Sequence, residues 1–189
     1  LVAEEFQISV RPEIMVPLIT TVNELANQKA IVEAAAKSII PKSKIPIKYM
    51  IGCMIETPRA ALTADKIAPI AQFFSFGTND LTQTTFAFSR DDVSKFLPKY
   101  LSEKILPNDP FQVLDEEGVG ALIATAVQKG RSQNPHLEIG ICGEVGGEPQ
   151  SIRTLVKIGG IDYTSVSPYR VLIARLAACQ AAIALEQTK

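Results

Sequence analysis

Short apolar runs alternate with longer segments of helical spacing along the chain, five times over. That alternation is the signature of βα units feeding a parallel sheet. The first run, 13–19, predicts a strand; the segment after it opens with Thr21 and Glu24 in a capping-box pattern and sets Leu25, Val32, Ala36 and Ile39 on one helical face. A second strand over 48–55 ends at Glu56, with a helix from about 60 to 71. A third, 73–76, is followed by an irregular passage over 79–109 and then a helix with Val119, Leu122, Ile123, Ala126 and Val127 on one face. The fourth, 138–141, runs through Cys142 into a short helix over 149–157 that Gly159 and Gly160 stop. The fifth, 163–166, precedes a helix with Leu172, Leu176, Cys179 and Ile183 on one face.

A complete barrel of eight such units takes about 250 residues. With 189 residues and five units, the expectation is part of an α/β barrel. Residues 1–189 read as one domain, and an opening at Leu1 suggests a piece of a larger polypeptide. A 47% hydrophobic and 21% charged composition is that of a packed globular domain and argues against disorder. Nineteen basic residues against 20 acidic ones give a net charge of −1, so nothing draws the chain to nucleic acid or an anionic membrane. The most apolar segments are interrupted by Gly, Pro or charge, and no membrane span is expected. Three widely spaced cysteines form neither a disulfide framework nor a zinc site, which points to a reducing, cytoplasmic setting or the mature part of an organellar protein.

Parallel barrel strands direct their C-terminal ends to one face, so Glu56, Asp80 and Cys142, at three successive strand ends, are candidates to converge. One Glu and one Asp suit Mg²⁺, which completes its octahedron with substrate oxygens and water. Each acid could equally cap the helix that follows it. The run Gly77-Thr78-Asn79-Asp80 can form an anion-binding nest of backbone N–H groups or an ordinary turn. Cys142 precedes Gly143, with Gly146 and Gly147 shortly beyond, an arrangement that leaves a thiol accessible. Cys53, inside a strand, and Cys179, on an apolar helical face, read as core, and His136 as a surface residue. No Ser-His-Asp or Cys-His arrangement can be assembled, which disfavours hydrolysis through an acyl intermediate.

Three ordered segments, Met54-Ile55-Glu56-Thr57-Pro58-Arg59, 74–83 and Cys142-Gly143-Glu144, resemble the phosphoenolpyruvate-utilising enzymes. The segments Thr85-Phe86-Ala87-Phe88-Ser89-Arg90-Asp91-Asp92, Asp109-Pro110-Phe111-Gln112 and Ser167-Pro168-Tyr169-Arg170 narrow the resemblance to the pyruvate, phosphate dikinases within that family. The resemblance implies a C-terminal (β/α)8 TIM-type barrel, of which this chain supplies about the last five units, binding phosphoenolpyruvate or pyruvate with Mg²⁺. It implies an enzyme that interconverts ATP, phosphate and pyruvate with AMP, diphosphate and phosphoenolpyruvate. A phosphohistidine on another domain of the same polypeptide would carry the phosphoryl group, and a homodimer is expected of the whole enzyme. By motif position, Glu56 and Asp80 are the implied metal ligands, and Gly77, Thr78, Asn79 and Asp80 the implied substrate loop. Met54 would line the pocket, and Cys142 would transfer the proton at carbon.

Where the dikinase pattern reads Cys-Gly-Glu-His-Gly-Gly, this chain has Val145 in place of His, so a polar neighbour of the thiol is missing or supplied elsewhere. The ATP-binding region, the phosphocarrier domain and the early barrel strands are absent from the sequence, so the chain alone is not expected to catalyse the full reaction. Phosphoenolpyruvate synthase and the phosphoenolpyruvate-protein phosphotransferase resemble it less over Phe88-Ser89-Arg90-Asp91-Asp92. A reading of another class is a non-catalytic dimerisation fragment.

Overall fold

The computed structural model describes residues 2–187. In chain order its elements are α1 (Val2–Phe6), β1 (Glu13–Val16), α2 (Val22–Ile39), β2 (Met50–Ile55), α3 (Pro58–Leu62), α4 (Ala64–Ile67) and β3 (Phe73–Gly77). There follow α5 (Thr78–Phe86), α6 (Leu97–Ser102), α7 (Ala121–Gln133), β4 (Glu138–Cys142), α8 (Pro149–Ile158), β5 (Tyr163–Thr164) and α9 (Val171–Glu186). The five strands form one parallel sheet in the order β1-β2-β3-β4-β5, as the alternation predicts. Helices make each crossover, because parallel neighbours cannot be joined by a tight turn. Among the described residues β1 and β5 are open edges, so the sheet is an arc of a barrel.

The two-residue side-chain period of a strand divides the sheet into two faces. Ile51, Cys53, Ile55, Phe74, Phe76, Ile139 and Ile141 point to the helical side and are buried there. Most of them join Ala60, Ala64 and Ile67 of α3 and α4 and Ile123 and Ala126 of α7 in the main core. Burying a side chain of Ile or Phe size contributes about 1.5–3 kcal/mol, so this layer fixes the register of the strands. The same register sets Met54, Ser75 and Cys142 on the opposite, concave face. Cys53 is core, as expected, and burial pushes its thiol up to about 12, which leaves it unreactive.

Several boundaries differ from the sequence expectation. β1 stops at Val16 rather than 19: Pro17 has no N–H to give, and Leu18 turns to φ 50°. The helix expected over 60–71 is two short pieces that meet at Thr63 (φ −114°, ψ 23°). There the Thr63 hydroxyl bonds back to the Arg59 carbonyl at 2.8 Å and competes with the helical ladder. The passage over 79–109 is not irregular throughout. α5 begins directly at Thr78, and only beyond its left-handed cap, Ala87 (φ 55°), does the chain wander through a 3₁₀ turn and α6. Its order comes partly from stacked rings: Phe88 lies 5.0 Å from Phe96 and 5.2 Å from Phe86.

α9 reverses the expected face. Its buried residues are Ala174, Ala177 and Ala181, while Leu172 is 79% and Leu176 61% exposed, and Cys179 is exposed as well. Small side chains let α9 lie close against Ile152 of α8, and that proximity outweighs the greater apolar area of the leucine stripe. The segment Pro168–Glu186 is also 19 residues of apolar helix, long enough to cross a membrane by length and composition, which corrects the expectation that no segment reaches that length. Its alanine face is docked on the domain.

Candidate active site

The site is assembled at the C-terminal ends of β2, β3 and β4. Pairing of Met54 with Ser75, and of Gly77 with Cys142, brings the ends of the three strands level. Glu56, the residue after β2, is only 3% exposed, and its carboxylate accepts the Leu18 N–H at 2.6 Å. Gly77 closes β3 beneath it. A Cβ on Gly77 would collide with the Glu56 carboxylate and the Met54 sulfur at once, so glycine is what allows those two side chains to occupy the concave face there.

Asp80 lies in the first turn of α5 and faces Glu56. Burial raises the proton affinity of Glu56; the Leu18 N–H lowers it, and repulsion from Asp80 and a proton shared with it raise it further. Neither acid takes part in the ion pairs of the described residues. Two converging carboxylates with no cationic side chain between them fit a divalent cation that prefers oxygen. Among the described residues no cluster of three or more His, Cys, Asp or Glu has metal-binding spacing, and the Glu56–Asp80 pair is the candidate the geometry offers.

The expected loop 77–80 is therefore a strand end followed by a helix start. Gly77 occupies the N-cap position and offers no side chain to the first-turn amides of α5, which leaves them to an outside acceptor. The Thr78 hydroxyl donates to the Cys142 carbonyl at 2.9 Å and ties the start of α5 to the end of β4. Gly143 then turns to φ 102°, where a Cβ would strike the Thr78 hydroxyl and come within 3.4 Å of the Asn79 Oδ1. Asn79 is thus set beside the Cys142–Gly143 turn.

Cys142 is half-buried. Its thiol donates to the Phe76 carbonyl at 3.5 Å and accepts from the Ser75 hydroxyl at 3.9 Å. Burial pushes the thiol up, Ser75 pulls it down, and the acids Glu56 and Glu144 push it up again. At neutral pH the group is a thiol, not a thiolate. Val145, which stands where the dikinase pattern has His, is buried in the main core, and the polar contacts of the sulfur come from Ser75 and Phe76. The backbone of 144–147 forms a 3₁₀ turn that closes over this end of β4.

The six sequence candidates Met54, Glu56, Gly77, Thr78, Asn79 and Asp80 thus meet the seventh, Cys142, in one region of the concave face. Sequence reasoning missed Leu18 and Ser75. A serine among Phe73, Phe74 and Phe76 was a usable signal, since a polar residue inside an apolar strand needs a polar partner. Nothing local marks Leu18. A cavity of about 540 Å³ lies elsewhere, between Phe86, Pro110, Leu114 and Glu117.

An arc of parallel strands with two acids and a thiol at their C-terminal ends defines an α/β-barrel type of site. The family profile described as "PEP-utilising enzyme, PEP-binding domain" matches residues 2–183, and the chain belongs to that family. It is 58% identical over 173 residues to pyruvate, phosphate dikinase 2 of Oryza sativa subsp. japonica, covering 92% of this chain and 19% of that protein. It is 55% identical over 177 residues to the chloroplastic pyruvate, phosphate dikinase 1 of Arabidopsis thaliana, covering 94% of this chain and 18% of that protein. The chain therefore spans about a fifth of the length of the curated relatives it matches. Among solved structures, a citrate lyase from Burkholderia xenovorans LB400 superposes with a TM-score of 0.57 at 15% identity, over 88% of this chain and 48% of that one. That likeness concerns the fold alone.

Proposed function

We propose that residues 1–189 are the C-terminal part of a phosphoenolpyruvate/pyruvate-binding barrel in a pyruvate, phosphate dikinase. The whole protein interconverts ATP, phosphate and pyruvate with AMP, diphosphate and phosphoenolpyruvate, with a phosphohistidine on another domain of the same polypeptide as carrier. The observation that carries the reading is the buried Glu56 carboxylate facing Asp80 on the concave face that also holds the Cys142 thiol. The identity to dikinases over nearly the whole chain supports it.

Glu56 and Asp80 would hold Mg²⁺, which would supply Lewis-acid chemistry at the site. Met54 lines the pocket beside Gly77, and Gly77, Thr78, Asn79 and Asp80 present the open first turn of α5 to the anionic substrate. Cys142 moves the proton. In the pyruvate-forming direction the S–H bond breaks and a C–H bond forms at the methylene carbon as the enolate collapses to the ketone. In the opposite direction the thiolate takes a methyl proton and the electron pair passes to the carbonyl oxygen. A thiol held neutral by burial suits the first direction, and the second needs help in forming the thiolate.

Dimer formation by the whole protein is a further part of this reading, favoured by the exposed leucine stripe of α9. Three free cysteines fit a reducing compartment, cytosolic or, as in the relatives called chloroplastic, inside an organelle. The test is calorimetric titration of phosphoenolpyruvate into the polypeptide that carries this chain. Binding with Mg²⁺ that disappears with chelator supports the reading, and no Mg²⁺-dependent binding contradicts it.

A further inference from the structure

Ser75 is buried on the concave face of β3, directly below Cys142. Its hydroxyl lies 3.9 Å from the sulfur, and among the described residues it has no other hydrogen-bond partner. The sulfur's other contact, the Phe76 carbonyl, can only accept, so it serves the protonated thiol and offers nothing to a thiolate. The ionisable groups acting on the sulfur are Glu56 beyond β2 and Glu144 in the turn after β4, and Tyr163 on β5 feels its charge in turn. None of these is cationic. Among the described residues Ser75 is then the one donor hydrogen-bonded to the sulfur, and its bond gains strength when the proton leaves.

We propose that Ser75 is the positioning residue of Cys142, holding the sulfur from below and stabilising it once its proton has gone. The proposal rests on the reading of Cys142 as the group that moves the proton. It gives Ser75 a directional effect: loss of the hydroxyl hinders removal of a proton from pyruvate more than delivery of one to the enolate.

The test uses the full chain with Cys179→Ser, so that iodoacetamide reports Cys142 while Cys53 stays buried. The rate of alkylation against pH gives the midpoint of the thiol. Ser75→Ala should raise that midpoint by about one pH unit and slow alkylation below it about tenfold. Ser75→Thr, which keeps the hydroxyl, should stay within about twofold of the parent. Ser75→Val has the shape of Thr without the hydroxyl and should behave as Ala does, so the Thr and Val pair reads the hydroxyl even if Ala disturbs packing. Equal midpoints in the Thr and Val variants overturn the proposal. In the polypeptide carrying this chain, Ser75→Ala should slow deuterium exchange into pyruvate about tenfold with KM unchanged. A shifted midpoint without any exchange in the unsubstituted protein supports the Ser75 contact and overturns the proton-transfer reading of Cys142 instead.

Discussion

The Leu18 N–H donates to the Glu56 carboxylate at 2.6 Å, across the ends of two adjacent strands. Leu18 reaches it from a left-handed conformation, φ 50°, that costs a non-glycine residue about 1–3 kcal/mol. The contact explains why a nearly buried acid remains fixed on the concave face, and it separates what Glu56 does for the fold from what it does for a cation. Glu56→Ala should leave the Leu18 N–H unpaired and destabilise the chain by about 1–3 kcal/mol in thermal unfolding. Glu56→Gln keeps an acceptor and should unfold close to the parent.

The same pair of variants tests cation binding. Mg²⁺ at about a hundred times its Kd should stabilise the parent by about 2.7 kcal/mol, read as a rise in Tm. In Glu56→Gln and in Asp80→Asn that rise should vanish, each separately, because both oxygens belong to one ion. A normal rise in either variant removes that carboxylate from the site.

Gly77→Ala should disrupt the site more than the fold's periphery. The added methyl drives against the Glu56 carboxylate and the Met54 sulfur, an overpacking that costs about 1–3 kcal/mol. Loss of Mg²⁺ stabilisation should accompany the lower Tm. Unchanged cation binding would show that Gly77 does not shape the pocket.

The outward face of the sheet was legible in the sequence because burial under helices demands an unbroken apolar set, and Ile51, Cys53, Ile55, Phe74 and Phe76 supply it. Strand ends were legible for the same reason, which is why Glu56, Asp80 and Cys142 could be selected before their geometry was known. The faces of α9 were not. Both its leucine and its alanine rows are apolar at helical spacing, and only the approach of α8 determines which is buried. The start of α5 was missed because Gly-Thr-Asn-Asp reads equally as a turn, and the left-handed Leu18 because no glycine marks it.

The capping box of α2 gives a pH dependence with a definite sign. Glu24 accepts from the backbone N–H groups of Thr20 and Thr21 and from the Thr20 hydroxyl, and these bonds hold its carboxyl down at about 2, from an ordinary 4.5. A depressed folded-state value means that the contribution is present above the unfolded value and is lost as pH falls toward the folded one. The Tm difference between the parent and Glu24→Gln should therefore be constant near neutrality and shrink between pH 4.5 and 2. A difference that grows in acid would contradict the assignment.

Open edges at β1 and β5 and the exposed Leu172 and Leu176 should make the 189-residue chain self-associate. Light scattering should show oligomers that Leu176→Glu reduces. A monomer at high concentration would mean that these surfaces are tolerated in water.

The central claim, that Cys142 transfers the proton at carbon, is tested most directly by exchange of pyruvate methyl protons with deuterated water in the polypeptide carrying this chain. Exchange requires reversible enolisation at the site, and the thiol has no part in holding the cation. In Cys142→Ala, exchange and pyruvate formation should both vanish, while Mg²⁺-dependent phosphoenolpyruvate binding and phosphorylation of the distant histidine by ATP persist. Exchange and turnover at the parent rate in that variant would contradict the account and move the role to Glu144 or a bound water.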